Sequence, residues 1–286
     1  MVVVGDLVTD VMVIIERPPA TGSDTPARIS MTGGGSAANT AAWLAFLGVP
    51  VTLLAAVGDD AAGRTLVEEL AGAGVTCRVA VHPEAPTGSI VVIADSSERS
   101  MLSDRGANLA LSPADVVLPD GATHLHLSGY PLLARATRPA GLHALRVARE
   151  RGLTTSVDAA SAALLPGDFL SFVAGVDVLF ANADEASVLA GPGPAAELAR
   201  RLAAAVPYAV VKLGPDGAVC ATSDGCLVRV PADPVEVVEP TGAGDAFAAG
   251  FLAAWPADLA RALREGARLG GLAVARAGAR PGHPAR

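Results

Sequence analysis

The sequence predicts an α/β fold with a doubly wound, mostly parallel central sheet flanked by helices, and two observations support this prediction. Continuous apolar runs such as VVVG and VDVLFA are typical of strands that are buried on both faces. Most of these runs are followed by an amphipathic helical segment, such as RPAGLHALRVARERG after THLHLSG. Strands that alternate with helices indicate crossover connections, and therefore parallel strands.

The elements can be placed in chain order. Short apolar or β-branched runs predict strands at VVVG, VTLLAAVGDD, THLHLSG, LTTSVDAA, VDVLFAN, YAVVKLG and VEVVE. Helical periodicity predicts helices after the glycines of GGGSAANTAAWLAFLG and at AGRTLVEELAGAG, RPAGLHALRVARERG, ELARRLAAAV and ARALREGARLGGLAVARAG. The segment GAVCATSDGCLVRVPA predicts a hairpin that turns at residues 223–225.

Two segments, near residues 11–32 and 84–108, do not fit this alternation. Within the second, TGSIVVIADSSERSML predicts two short strands around a polar turn. We expect the two segments to form a small accessory sheet, a β lid that covers the site and can also serve as a homodimer interface. Since no repeat, linker or second domain is visible, we expect residues 1–286 to form a single α/β domain.

Composition limits the class of protein. The chain has 286 residues, of which 51% are hydrophobic and 3% aromatic, so we expect a large core of Ala, Val and Leu. A formal net charge of −8 with no basic stripe argues against a nucleic-acid partner. The N-terminal apolar run, interrupted by Asp6 and Asp10, predicts a buried strand and its continuation rather than a signal peptide. No run reaches the ~18 residues of a membrane span, and three cysteines without metal or redox spacing suit a cytoplasmic location.

The segment PTGAGDAFAAGFL, residues 240–252, places two glycines and an aspartate at the start of an apolar helix. Free backbone N–H groups and the helix dipole make such a turn an anion site, and Gly242 and Gly244 allow a ligand to approach the backbone closely. The predicted strand VEVVE places the turn at the carboxyl edge of the sheet, where ligands bind. An ordinary helix N-terminal carboxylate would also explain Asp245.

A carboxylate beside an anion site is suited to phosphoryl transfer. The N–H groups of Gly242, Ala243 and Gly244 would neutralise the transferring phosphoryl group, and Asp245 would accept the proton of the attacking hydroxyl. We expect the helix dipole to keep Asp245 ionised. The sequence contains no G-x-x-x-x-G-K-[ST], which excludes a P-loop enzyme.

Together, EPTGAGDAFAAGFL and GGGSAANTAAWLAFLG resemble the two signatures of the ribokinase-like (phosphofructokinase-B) carbohydrate kinase family, and the resemblance covers essentially the whole chain. It implies that Asp245 is the catalytic base and that the turn before it is the anion hole. It also implies that Gly34, Gly35 and Asn39 bind the acceptor. This agrees with their chemistry, because glycines let a sugar ring lie against the backbone and the Asn amide both donates and accepts.

The resemblance assigns further residues to the acceptor. Asp10, in GDLVTD, would bind a sugar hydroxyl, whereas we expect Asp6 to be a solvated loop residue. Arg105, in SDRGANL, would reach the acceptor or a phosphate from the lid, although Arg at such a position is equally often a surface ion-pair partner. Val8 and Ser36 stand where ribokinases usually carry Asn and Lys, which disfavours ribose itself as the acceptor.

The resemblance also implies ATP and Mg²⁺. For ATP it points to Thr241 and to the segment VVKLGPDGAV, with Lys212, Gly214 and Gly217; a solvated strand-end charge would also explain Lys212. The family's N-x-x-E motif falls on Asn182 and Glu185, implying Mg²⁺ held through water, although an ordinary capping box explains both residues. A monovalent cation is implied near Glu239, where an Asp is more usual.

The expected function is an ATP-dependent phosphotransferase that phosphorylates a hydroxymethyl group of a sugar or sugar-like molecule. The alternatives are a nucleoside kinase of the same fold, a non-catalytic sugar or nucleotide sensor, and an NAD-binding dehydrogenase. The last rests on Gly33, Gly35 and Ala38, which match G-x-G-x-x-A, with acidic residues 59–60 about twenty positions further on. The histidines of THLHLSG share one strand face without a nearby third ligand, which favours a packing or surface role.

Overall fold

Two β-sheets form the framework of the computed structural model, which describes residues 1–94 and 99–282. In spatial order, the larger sheet consists of β13 (Leu227–Val230), β12 (Ala218–Thr222), β11 (Tyr208–Lys212), β10 (Val178–Asn182), β9 (Thr154–Asp158), β8 (His124–Ser128), β1 (Val2–Val4), β4 (Thr52–Val57) and β5 (Thr76–Val81). Neighbouring strands from β11 to β5 run parallel, whereas β12 and β13 add an antiparallel hairpin. The predicted mostly parallel sheet is therefore confirmed.

Helices cover both faces of this sheet. They are α1 (Ser36–Phe46), α2 (Ala61–Gly72), α3 (Tyr130–Leu133), α4 (Arg138–Glu150), α5 (Phe169–Phe172), α6 (Ala183–Ala190), α7 (Ala195–Leu202), α8 (Ala243–Ala254) and α9 (Leu259–Val274). Side chains of β1 alternate between two apolar clusters: Val2 and Val4 belong to the cluster that includes residues of α4 and α7, and Val3 belongs to the one that includes residues of α1, α8 and α9. This alternation is what a doubly wound sheet requires. Among the described residues, no helix combines the length and the apolar character needed to cross a membrane.

The smaller sheet, called the accessory sheet below, contains β3 (Ala27–Gly34), β2 (Val8–Ile15), β6 (Gly88–Ala94) and β7 (Arg99–Asp104) in this spatial order. β2 pairs antiparallel with β3 and parallel with β6, and β6 pairs antiparallel with β7. The segments predicted near 11–32 and 84–108 thus contribute to one small sheet. Part of the predicted polar turn, residues 95–98, lies outside the described residues.

The N-terminal apolar run forms a buried strand and a continuation that belongs to the other sheet. β1 ends at Val4, and β2 already belongs to the accessory sheet. Between them Gly5 has a φ of 154°, and a Cβ at this position would lie 2.7 Å from the Cβ of Ser128. A glycine is therefore required where the chain passes from one sheet to the other.

The predicted strand VEVVE is wrong, because residues 235–239 form no strand. The apolar side chains of Val235, Val237 and Val238 are exposed rather than buried. Prolines at 234 and 240 directly flank the segment, and proline cannot donate to a strand ladder. Residues 235–239 are instead joined to the end of α9, because the N–H groups of Val238 and Glu239 donate to the carbonyl of Val274 at 2.8 and 3.1 Å.

His124 and His126 are buried on β8, with 3% and 1% of their surface exposed. Each ring accepts or donates a hydrogen bond with Ser156 Oγ at 2.8 Å. Burial lowers the pKa of His124 to about 3 and that of His126 to about 4, so both rings are neutral near physiological pH. The predicted packing role is confirmed.

Candidate active site

The N-termini of two helices meet at the carboxyl edge of the larger sheet. α1 begins after Gly35, which has a φ of 98°, and α8 begins after Gly242, which has a φ of 79°. A Cβ at Gly35 would lie 2.5 Å from the carbonyl oxygen of Asp6, and one at Gly242 would lie 2.5 Å from the carbonyl oxygen of Ala279. Both turns therefore need glycine, because of its positive φ and because the neighbouring backbone lies so close.

Asp245 lies in the first turn of α8 and faces the first turn of α1. The hydroxyl of Ser36 donates to its Oδ1 at 2.8 Å, and the side-chain amide of Asn39 donates to its Oδ2 at 2.9 Å. Desolvation raises the pKa of Asp245 to about 7, although these two hydrogen bonds oppose the rise. The carboxyl group is therefore only partly ionised at neutral pH, contrary to the expectation from the helix dipole. A pKa near the working pH is what a general base needs.

The turn before Asp245 presents backbone N–H groups to the same space. Among the described residues, the N–H groups of Gly244 and Asp245 have no backbone acceptor, and that of Ala243 reaches the carbonyl of Pro240 only at 3.4 Å. The ammonium of Lys212 is close, since it would lie 3.1 Å from a Cβ on Gly244. Unused N–H groups at a helix N-terminus beside a lysine form an arrangement that fits a phosphoryl group.

Lys212 is mostly buried rather than solvated at the end of its strand, with 14% of its side chain exposed, and its Nζ lies 2.6 Å from Oδ2 of Asp158. Although burial opposes it, the charges of Asp158 and Glu185 raise the pKa of Lys212, so the ammonium keeps its charge. Sequence reasoning missed Asp158. Its position at the end of the predicted strand LTTSVDAA, at the same sheet edge as Lys212, is the signal that could have found it.

Asn182 and Glu185 form a complete capping box at the start of α6. The Glu185 carboxylate accepts from the backbone N–H and the side-chain amide of Asn182, both at 2.8 Å, and the Glu185 N–H donates to Asn182 Oδ1 at 2.9 Å. Burial, followed by the charge of Asp158, raises the pKa of Glu185, whereas Lys212 opposes the rise. Glu185 is therefore electrostatically part of the Asp158–Lys212 group.

Asp6 is not a solvated loop residue, as expected from the sequence, because only 3% of it is exposed. Its carboxylate accepts from the backbone N–H groups of Ser36 and Ala37, at 3.2 and 3.4 Å, from the hydroxyl of Ser128 at 3.1 Å, and from the guanidinium of Arg105 at 3.2 Å. Asp6 thus joins α1, β8 and the end of the accessory sheet. Its side-chain partners lie 99 and 122 residues away, so no local pattern marks it.

The residues predicted to hold the acceptor lie around this junction. Asp10 on β2 packs against Gly34 on β3, where a Cβ would overlap the Asp10 carboxylate. Desolvation raises the pKa of Asp10 to about 6, although the charge of Arg280 opposes the rise. Arg105 stacks on Tyr130, with its guanidinium carbon 3.6 Å from the ring centroid.

A cavity of about 210 Å³ opens beside Asp6 and Arg105. Tyr130 forms part of its wall, and most of the remaining lining is apolar, including Leu111 and Leu133. A ligand in this cavity would contact one aromatic ring, that of Tyr130, and one ion pair, Asp6–Arg105.

The remaining predicted residues are not drawn into contact with Asp245. Gly217 has a φ of 87° and lies tightly against the backbone of Val230, which explains the glycine as a turn requirement; Gly214 begins the 3₁₀ segment Gly214–Asp216. Thr241 lies in the turn before α8. Glu239 accepts a hydrogen bond from the N–H of Gly278 at 2.9 Å.

The structure does not favour the dinucleotide-binding alternative. The G-x-G-x-x-A glycines lie at the end of β3 of the accessory sheet and directly after it, rather than after a central parallel strand. Asp60 caps α2 and accepts from the N–H of Gly63 at 2.8 Å, and Asp59 pairs with Arg64 at the surface. The Asp60 carboxylate is therefore engaged in capping α2, and Asp59 lies in an exposed ion pair.

Arg280 is a further residue of this junction that sequence reasoning missed. Its guanidinium donates to Asn39 Oδ1 and to the carbonyl of Gly34, at 3.3 and 2.8 Å. These partners lie 241 and 246 residues before it in the chain, and no local signal identifies it.

Comparisons with known proteins show the family to which the chain belongs. A family model described as pfkB family carbohydrate kinase matches residues 1–286. The chain is 35% identical over 282 residues to the ATP-dependent ribose-1-phosphate kinase of Halopiger xanaduensis, covering 95% of this chain and 90% of that protein. It superposes with a TM-score of 0.86 on the adenosine kinase of Sinorhizobium meliloti, at 26% identity over 98% of this chain and 95% of that one. Ribokinase of Arabidopsis thaliana, solved with ribose and ATP, gives a TM-score of 0.82 at 28% identity over 97% and 93%.

Proposed function

Since the chain belongs to the pfkB family of carbohydrate kinases and is an ATP-dependent sugar kinase, we propose that it phosphorylates a hydroxymethyl group of its acceptor with Asp245 as the base. One observation carries this proposal: the Asp245 carboxylate lies in the first turn of α8, directly after the Gly244 N–H, which has no backbone acceptor among the described residues. An acceptor hydroxyl placed between them has a proton acceptor on one side and an anion site on the other.

The anion site stabilises the charge of the phosphoryl group in flight. The N–H groups of Gly242, Ala243 and Gly244 cost no reorganisation during the reaction, because the backbone already holds them at the start of α8. Lys212 adds a positive charge that Asp158 holds in place at 2.6 Å. We assign Lys212 to the phosphates of ATP, together with Thr241 and the turn containing Gly214 and Gly217.

Asn182 and Glu185 are the residues that we assign to Mg²⁺, through bound water. Their charge environment supports this assignment, since Glu185 is linked electrostatically to Asp158 and Lys212 beside the phosphate site. Mg²⁺ keeps several waters and needs few carboxylates, and it would neutralise phosphate charge there. A monovalent cation near Glu239 is a further proposal, although that carboxylate is already bonded to the N–H of Gly278.

In this proposal the acceptor is held by Asp10, Gly34, Gly35 and Asn39, and Arg105 lies at the far end of the acceptor site. Asp10 offers a carboxylate beside bare glycine backbone, which suits hydroxyl groups on one face of a sugar ring. A related kinase acts on ribose-1-phosphate according to its name, so a sugar that carries a substituent at C1 is a candidate acceptor.

A nucleoside kinase is the second candidate function, and the cavity beside Tyr130 favours it. Its volume of about 210 Å³ and apolar lining suit a base that stacks on an aromatic ring. The structural similarity to an adenosine kinase points the same way.

Location and assembly belong to the proposal as well. Cys77, Cys220 and Cys226 are free thiols, which is consistent with a reducing cytoplasm. The accessory sheet is proposed to close over the acceptor and to form a homodimer interface.

The test is ADP release from ATP and Mg²⁺ with a panel of acceptors: ribose, ribose-1-phosphate, a ketohexose, a ketodeoxy sugar acid and adenosine. We expect Asp245→Asn to lower kcat by about 10²- to 10⁴-fold, because it keeps the shape of the side chain and removes the base. Asp258→Asn is the matched control, since Asn preserves the N-cap that Asp258 forms on α9. Unchanged turnover in Asp245→Asn would refute the assigned base, and saturable binding without turnover on any acceptor would favour a sensor.

A further inference from the structure

The chain after α9 returns to the two helix N-termini of the site. The N–H of Gly278 donates to Glu239 at 2.9 Å, and the indole of Trp43 on α1 donates to the carbonyl of Ala279 at 3.0 Å. Ala279 also packs against Gly242. Residues 278–280 are thus fixed to both α1 and the turn before α8, which leaves the Arg280 side chain little freedom of position.

The guanidinium of Arg280 contacts the glycine segment and Asn39 together. Nε donates to Asn39 Oδ1 at 3.3 Å, and Nη2 donates to the carbonyl of Gly34 at 2.8 Å. Nη1 lies 3.7 Å from Oε2 of Glu69, and only 14% of the side chain is exposed. A rigid planar fork that bonds to two groups holds both in a defined orientation.

The orientation of the Asn39 amide follows from these contacts. Arginine can only donate hydrogen bonds, so the atom of Asn39 that faces Arg280 must be the oxygen. The nitrogen then faces Asp245, where Nδ2 donates to Oδ2 at 2.9 Å. A chain of donors therefore runs from Arg280 through Asn39 to the carboxylate of Asp245.

We propose that Arg280 is a positioning residue for phosphoryl transfer, which fixes the Asn39 amide so that its N–H, and not its oxygen, points at Asp245. This inference rests on the proposed role of Asp245 as base. Arg280 itself touches neither the carboxylate nor the reacting atoms, and its effect passes through Asn39.

Without Arg280, only the hydrogen bond to Asp245 orients the Asn39 amide within the described part of the chain, so the amide is freer to rotate. The two orientations of an amide differ by a half-turn about one soft torsion. With the oxygen toward Asp245, two acceptors face each other, so Asp245 either takes up a proton or moves away. Either change removes the base from its productive geometry, and a displacement of about 1 Å can cost ~10²-fold in rate.

A double-mutant cycle tests whether Arg280 acts through Asn39. We expect Arg280→Met and Asn39→Ala each to lower kcat by about 10- to 100-fold, with the KM for ATP changed less than about twofold. In the double variant we expect kcat to stay within about threefold of the kcat of Asn39→Ala alone. Once Asn39 has been replaced, Arg280 has no side-chain amide left to orient, so its own substitution adds little. Arg276→Met is the control, since Arg276 belongs to the same segment but lies 5.9 Å over the Trp43 ring instead.

If Arg280→Met has a much lower melting temperature than the wild type, Arg280→Lys serves as a second variant for the same test. Lysine keeps the charge but cannot span Asn39 and Gly34 with one planar fork, so we expect a kcat between those of wild type and Arg280→Met, and the same non-additivity with Asn39→Ala. If the kcat losses of the two single variants multiply in the double variant, the positioning role of Arg280 is wrong. The same holds if Arg280→Met keeps a kcat within twofold of the wild type. Neither result contradicts the proposed function. A wild type without turnover on any acceptor overturns instead the proposed function on which the inference rests.

Discussion

The Asp245 carboxylate has a raised pKa, and this has a cost in stability. Desolvation moves the pKa from 3.8 to about 7 against hydrogen bonds from Asn39 and Ser36. The folded protein therefore binds this proton more tightly than the unfolded chain does. The free energy of unfolding accordingly declines as the pH rises from 3.8 through about 7, so the ionised form that serves as base is the less stable one.

At the residue scale, we predict that kcat/KM falls about tenfold per pH unit below about pH 7 and levels off above it, because only the ionised Asp245 accepts a proton. Ser36→Ala removes a donor to the carboxylate, so the midpoint should move to higher pH. Initial rates of ADP release at constant ionic strength give both profiles. A flat profile in this range, or a midpoint that moves down in Ser36→Ala, would contradict the assignment.

The two helices α1 and α8 acquire their function at their N-terminal turns. Each begins after a glycine with positive φ that lies against a distant carbonyl. The glycines bring the turns so close that side chains of α1 reach Asp245 on α8. Neither helix alone contains the site.

At the element scale, Gly242→Ala should lower the free energy of unfolding by roughly 2 kcal/mol or more and kcat at least tenfold, because the new Cβ is strained and meets Ala279. Gly121→Ala is the matched control: Gly121 has a φ of 74° and nothing within 4 Å of a Cβ. It should cost only the strain, about 1 kcal/mol, with kcat unchanged. Urea denaturation and ADP release measure the two effects, and equal losses in both variants would refute the close-approach argument.

In the whole molecule, the two faces of the accessory sheet differ: one meets the candidate active site, and the other carries exposed apolar side chains. Asp10 lies on the face that meets the site, and the strand pairing puts Val11 and Met31 on the opposite face. Pairing continues this apolar face through Val91 to Leu102. Ile29, Met31 and Leu102 are 64%, 71% and 58% exposed, which is much apolar surface for one face of a small sheet.

At this scale, we predict a homodimer through that face, with a mass of twice the 28.5 kDa of one chain. Introducing lysines at Ile29 and Met31 should yield monomers, because charges would be buried at the interface. Val188→Lys, at an equally apolar side chain on α6 that is 55% exposed, should leave the mass unchanged. Light scattering measures all three, and a monomeric wild type would refute the interface.

Local sequence patterns predicted most elements but not all of their partners. The central strands were recognisable because burial on both faces leaves continuous apolar runs, as in VDVLFAN. VEVVE is also rich in valine, yet residues 235–239 form no strand. The flanking prolines and exposed valines of this segment show that a valine-rich run becomes a strand only where a neighbouring strand is available to pair with it.

The sequence alone determined the alternating α/β order and the glycine turn that carries Asp245, since both follow from side-chain periodicity and backbone freedom within a few residues. Only the tertiary structure decided that Asp6 is buried, that Lys212 pairs with Asp158, and that Arg280 reaches Asn39. These partners lie far apart in the chain, up to 241 residues. Their energies depend on burial and on distances of a few ångströms, quantities that arise only when the sheets and helices have packed.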